Sequence, residues 1–179
     1  MNSTLKKLYE LSKATNIDYP FEAFEPVGLI LLEDNIPYES WDSDWCALPD
    51  QLPFAITGVD GVYFSLLGKL DEFNENSPVV MTIPNSGDDN PNVIVGENLI
   101  DFLSLGCKTG YHRLDDIVFN YNKFLKELES KEYDTDFEDE EIDLLIKLIN
   151  KFQLKPWSNY AQKLKSLQTD YADLLVLRN

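Results

Sequence analysis

One histidine, His112, and two cysteines, Cys46 and Cys107, are the only soft or imidazole side chains in a chain of 179 residues. They show no Cys-x-x-Cys and no His-x-x-x-His spacing, so a zinc site has almost no ligands to draw on. Cys107 lies five residues before His112, but a thiolate–imidazole pair is made by geometry and not by proximity in sequence. His112 falls just before a helix expected over 113–129 and reads as a surface or capping residue. Asp88-Asp89 could touch a cation, yet their loop lacks the alternating oxygen donors and closing Glu of a calcium site, and reads as a solvated turn. Gly68-Lys69 has no preceding glycine at P-loop spacing, and Gly-x-Gly-x-x-Gly is missing from the sequence. The 32 acidic residues offer many carboxylate pairs, but an acid–base pair works only where two environments push the pKa values apart, and none of the pairs is marked out. The expectation is a non-catalytic protein with no metal and no cofactor.

Charge is the stronger signal. Residues 14–107 hold seventeen acids and one base, Lys69, a formal charge of −16. The first thirteen residues sum to +2 and residues 108–179 to −3, giving −17 for the chain. Such a field biases encounters toward basic surfaces. It opposes binding to nucleic acid or an anionic membrane, both of which need Lys and Arg against phosphate. Residues 33–50 concentrate the pattern, with six acids, no base, and the two tryptophans Trp41 and Trp45. Two readings are open. Either the tryptophans enter the core and the acids merely solvate the chain, or the rings are interface anchors and the charges steer a basic partner onto them. On the second reading the partner-binding set is Asp34, Glu39, Trp41, Asp42, Asp44 and Trp45. A second run, seven acids over 134–143, falls at a helix start, where the macrodipole favours negative charge and a structural role suffices.

The elements that must position these residues follow from periodicity. Ser3 is expected to cap a first helix with Leu5, Leu8, Tyr9 and Ser12 on one face, ending before Asn16. Five prolines break up residues 16–53, though 28–32 is apolar enough for a buried strand or helical turn. Residues 54–57, 58–61 and 62–67 read as strand, turn and strand, with Asp60-Gly61 supplying the turn. Strands over 79–83 and 93–95 follow, separated by a polar loop over 85–91, and together favour an antiparallel meander. From Gly96 the period becomes helical. Leu99, Phe102 and Leu103 form one face closed by Gly106. Leu114, Ile117, Val118, Tyr121, Leu125 and Leu128 form a longer one. Thr135-x-x-Glu138 suits a capping box ahead of Ile142 to Phe152, and Pro156 the first turn of a last helix carrying Tyr160, Leu164, Leu167, Tyr171 and Leu174.

The fold class is therefore α+β: an antiparallel sheet of about four or more strands flanked by helices, with a helical C-terminal extension. The organisation expected is an α+β domain over 1–110 with a helical extension over 111–179 packed on it as one globular unit. The N-terminus has no apolar core of a signal peptide, no apolar run approaches the ~18–20 residues that span a bilayer, and both cysteines read as buried thiols. A soluble cytoplasmic location is expected.

Residues 52–64, with Gly58-Val59-Asp60-Gly61 at their centre, precede Ser77-Pro78-Val79-Val80, a polar loop, Val93-Ile94-Val95-Gly96-Glu97-Asn98-Leu99 and Asp101-Phe102-Leu103. In this order they resemble the SUKH superfamily, whose pattern pairs a Gly-x-x-Gly hairpin with a later strand and a short Asn-Leu-x-x-Phe-Leu helix. The likeness covers residues 49–110. No Asn-Gly-Gly follows Leu48-Pro49 or Leu52-Pro53, and the long helical tail is a departure from the pattern. The superfamily includes the yeast regulator of cell-wall assembly and many bacterial immunity proteins. The resemblance implies a binding scaffold without catalytic residues, which sequesters a basic protein partner, a cognate toxin domain such as a nuclease. The alternative it allows is an intracellular regulatory adaptor without a toxin.

Overall fold

In the computed structural model the described residues are 2–33, 46–68, 73–87, 90–130 and 136–177. Helix α1 spans Ser3–Thr15 and buries Leu5, Leu8, Tyr9 and Ser12, the face its spacing predicts. Its cap is Asn2 and not Ser3. Asn2 Oδ1 accepts the Leu5 N–H at 3.0 Å, and Asn2 Nδ2 donates to the Asn74 carbonyl at 2.7 Å. Ser3 is the first helical residue, and its N–H goes to the carboxylate of Glu75. Glu75 also accepts the Thr4 N–H at 3.3 Å and the Thr4 hydroxyl at 2.5 Å. Amide donors of the first turn are thus satisfied by an acid some seventy residues away.

Burial opposes ionisation of Glu75, but hydrogen bonds from Thr4 and Ser3 outweigh it and hold the carboxyl below its ordinary 4.5. A lowered folded-state pKa contributes stability above the unfolded value and loses it as pH falls through the folded one. Glu75→Gln is expected to cost about 1 kcal/mol at neutral pH, a typical capping magnitude for an exposed site. In urea titrations the gap between variant and parent should close as pH drops below 4.5.

Two 3-10 turns, Pro20–Glu22 and Glu25–Val27, lead to Gly28 and strand β1, Ile30–Leu31. Strands β2 (Gln51–Ile56), β3 (Tyr63–Leu67), β4 (Val79–Thr82) and β5 (Asn92–Gly96) complete a five-stranded antiparallel sheet in chain order. The meander follows from local chemistry. Gly58, Asp60 and Gly61 all take positive φ between β2 and β3, the conformation that Gly and Asp tolerate best. Phe54, Phe64, Val79, Leu99, Phe102 and Leu103 are buried, while Ile56 and Val93 are half-buried.

Helix α2, Leu99–Leu105, is capped by Asn98 and ends at Gly106. It lays Phe102 on one sheet face, 4.7 Å from Phe64 and 5.8 Å from Phe54 between ring centroids, with Tyr111 at 5.2 Å behind it. The helix expected over 113–129 is two, α3 (Asp116–Phe119) and α4 (Tyr121–Ser130). Asn120 breaks it: its backbone leaves the helical region and its Nδ2 donates to Asp116 Oδ1 at 2.5 Å. Asparagine competes for local hydrogen bonds in this way. The break shifts the phase, so Phe124 is buried where Tyr121 was expected, and Tyr121 stands 38% exposed.

Helix α5, Asp139–Phe152, starts at Glu138, whose N–H donates to Glu141 Oε2 at 2.6 Å. Glu138 is thus the cap residue and not the third helical residue of a box opened by Thr135, which lies outside the described residues. Helix α6, Tyr160–Asp170, is capped by Asn159 and not opened by Pro156. It ends before Leu174, which sits in a 3-10 turn, 45% exposed. One cluster of buried side chains runs from Leu5 through the sheet to Leu167.

The free edge of β5 is closed by a side chain. Gln168 of α6 accepts the Ile94 N–H at 3.0 Å and donates to the Ile94 carbonyl at 2.8 Å. A primary amide here imitates the two bonds of a neighbouring strand and occupies the edge at Ile94. Gln168→Ala should leave both groups unsatisfied, cost about 1–3 kcal/mol and raise amide exchange at Ile94 more than at Val80.

Candidate functional site

The second sheet face differs from the one under α2. Cross-strand pairing puts Tyr63, Thr82 and Asn92 in one row, with Ser65, Val80 and Ile94 in the next. Gln51 pairs with Leu67 at the far end. Gln51, Ser65 and Thr82 are fully buried, and Asn92 and Tyr63 nearly so. Thr82 Oγ1 donates to Asn92 Oδ1 at 2.6 Å, and Asn92 Nδ2 donates to the Cys46 carbonyl at 3.0 Å. Gln51 Nε2 reaches Tyr63 Oη at 3.4 Å, whereas Gln51 Oε1 and Ser65 Oγ have no hydrogen-bond partner among the described residues.

Where this face meets the residues that follow α6, an open groove of about 510 Å³ forms. Its lining is apolar, from Leu48, Pro49, Leu67, Leu174, Val176 and Leu177, and two exposed carboxylates, Asp50 and Asp173, belong to it as well. Leu174 and Val176 are 45% and 62% exposed. Alternation in β3 brings Leu67 here. The end of α6 at Asp170 and the 3-10 turn over Ala172–Leu174 bring the opposite wall. Sequence reading missed the groove, because it assigned Leu174 to a helix. The only local signal was the apolar tail Leu174-Leu175-Val176-Leu177 after two acids.

Asp34, Glu39, Trp41, Asp42, Asp44 and Trp45 all lie outside the described residues. The described residues resume at Cys46, two residues before groove-lining Leu48. The acids that are described in the same region stand in water. Asp18, Glu22, Glu25, Glu33, Asp50, Asp60 and Glu97 are exposed, and among the described residues none of them forms an ion pair; Glu75 is exposed too, but its carboxylate is taken up by the first turn of α1. Asp101 is the exception, paired with Lys163 of α6. That lysine also lies 4.6 Å from the Trp157 ring centroid, and Trp157 Nε1 donates to the Asp101 carbonyl at 3.1 Å.

No family model matches the chain, and no curated protein matches it in sequence. Its chemistry therefore rests on its own residues. Cys46 and Cys107 are buried thiols outside any disulfide. Burial pushes the Cys107 thiol up to about 11, against the pull of Lys108, so it stays protonated at neutral pH and is a poor nucleophile. Burial and the nearby Cys107 raise Tyr160 to about 12 and push Tyr111 well above its ordinary value. Tyr111 Oη donates to the Leu103 carbonyl at 2.9 Å, a structural role. The His112 ring packs edge-on against Phe137 at 5.8 Å. Asp115 is pushed up by burial first and then by Asp116 and Asp60, while Arg113 pairs with Asp116 at 3.0 Å and Glu127 at 2.9 Å. Among the described residues no group of His, Cys, Asp and Glu is arranged to hold a metal, and no helix is long and apolar enough to cross a membrane.

Proposed function

We propose that this chain is a non-catalytic binding protein of the cytoplasm that captures a basic protein partner, in the manner of SUKH-like immunity proteins sequestering a toxin domain. The observation that carries the reading is the unbalanced charge of residues 14–107, −16, together with the exposure of its described acids and the scarcity of internal cations to pair them. Carboxylates left in water cost nothing to desolvate in the monomer and steer a cationic surface at long range. Toxin nucleases expose basic clefts for phosphate, and an acidic body on a sheet scaffold can occupy such a cleft. The contact surface on this reading draws on Asp34, Glu39, Trp41, Asp42, Asp44 and Trp45, with the charges governing association and the rings governing residence.

The test begins with the open reading frame beside the gene, expressed as an inactive variant and measured for binding by stopped flow and calorimetry. Asp42→Lys with Asp44→Lys is expected to slow association at least tenfold at low salt and to leave dissociation within about threefold. Trp41→Ala should mainly speed dissociation. If the double reversal leaves affinity unchanged, and Trp41→Ala lowers the melting temperature with no specific loss of binding, these residues are solvating acids and a core ring, and the site assignment falls.

A further inference from the structure

Resting on that reading, we propose that the groove between Leu48-Pro49, Leu67 and the tail residues Leu174 to Leu177 is a second contact surface, which seats an apolar segment of the partner flanked by Lys or Arg. An isolated surface leucine needs no explanation, but Leu174 at 45% and Val176 at 62% stand together on one wall, facing an apolar floor across about 510 Å³. A hollow of that size takes a few aliphatic side chains and not a folded element. Contiguous apolar surface rimmed by polar groups marks an interaction site more often than a monomer surface.

Charge selects the occupant. Asp50 and Asp173 are both exposed, and among the described residues neither makes an ion pair and no base belongs to the lining. The two carboxylates favour a segment that brings positive charge. An acidic segment would place like charges together, and a bare apolar one would leave the rim unused. Asp50 itself takes φ 36°, an uncommon conformation for a non-glycine residue, which turns the chain at the entry to β2.

A second copy of this chain is the competing occupant, since residues 144–169 hold five lysines and no acid. The experiment uses the full chain and three synthetic twelve-residue peptides, one alternating Leu with Lys, one Leu with Glu and one Gly with Lys. Titrations are followed by methyl NMR. The Leu/Lys peptide is expected to shift the methyl signals of Leu48, Leu67, Val176 and Leu177, to bind at least tenfold more tightly than either control, and to lose at least fivefold affinity in Leu174→Ser with Val176→Ser. Both positions are exposed, so this variant should keep the parent's circular dichroism and melting temperature. Asp50→Asn with Asp173→Asn should weaken the Leu/Lys peptide severalfold and flatten its salt dependence.

Equal binding of the Gly/Lys and Leu/Lys peptides, or a serine pair that leaves affinity unchanged, overturns the groove as the seat. So does a concentration-dependent dimer, measured by light scattering, that the serine pair abolishes. Failure of the broader reading looks different. In that case neither cationic peptide binds at all, and Asp42→Lys with Asp44→Lys changes nothing. If the groove alone fails, cationic peptides still bind and the charge reversal still weakens them.

Discussion

Gly28→Ala is expected to destabilise the protein by about 4 kcal/mol, a large share of a total stability of order 5–15 kcal/mol. Gly28 has φ +76°, where an L side chain costs roughly 1–2 kcal/mol by itself. The larger part is steric. A Cβ built there would stand 2.2 Å from the His112 backbone nitrogen and 2.5 Å from its Cα. Backbone cannot swing aside as a side-chain tip can, and this backbone is pinned, since the Tyr111 N–H donates to the Val27 carbonyl at 2.7 Å. Alanine must therefore pry the turn before β1 away from the segment that follows α2. Gly87→Ala is the control. It has φ +79°, and among the described residues no heavy atom beyond its chain neighbours lies within 4 Å of the place its methyl would occupy, so it isolates the conformational cost at about 1 kcal/mol. Urea midpoints of the two variants should differ severalfold in their displacement from the parent. Equal displacement would mean that the contact at His112 relaxes freely.

The second large effect is Phe102→Ala, expected at about 3–5 kcal/mol, with a melting temperature lower by roughly 6–20 °C for a chain of this size. Phe102 is fully buried and touches the rings of Phe54, Phe64 and Tyr111. It is the residue through which α2 holds the sheet. Its truncation leaves a cavity among three rigid rings that have little freedom to collapse inward. Phe102→Leu should recover more than half of the loss. The functional corollary follows from the geometry: α2 and the groove lie on opposite sheet faces, so Phe102→Leu should leave peptide affinity at the groove within about twofold, measured below the variant's melting transition.

The meander and the helix of Leu99, Phe102 and Leu103 were legible in the residues because their causes are local. Alternation at period two, Gly and Asp at the turn between β2 and β3, and Asn98 ahead of an apolar triplet each act within a few positions. The face of α1 was legible for the same reason, and the charge of residues 14–107 requires only counting. What lay beyond reach depends on partners distant in the chain. Ser3 lost the cap of α1 to Asn2 because Glu75, from the turn before β4, took the amides that Ser3 and Thr4 expose. The helix over 113–129 broke at Asn120, where one side-chain bond to Asp116 outweighed a continuous apolar period. Gln168 reads as an ordinary helical residue until β5 presents an unpaired edge beneath it. The groove exists only because α6 stops at Asp170 and the tail turns back toward Leu67. Composition and short-range periodicity determine which elements form and what net charge they carry. Which polar atom satisfies which distant amide, and which apolar residues are left over to line a groove, is decided by packing in three dimensions, where each donor goes to the nearest acceptor in space and not in sequence.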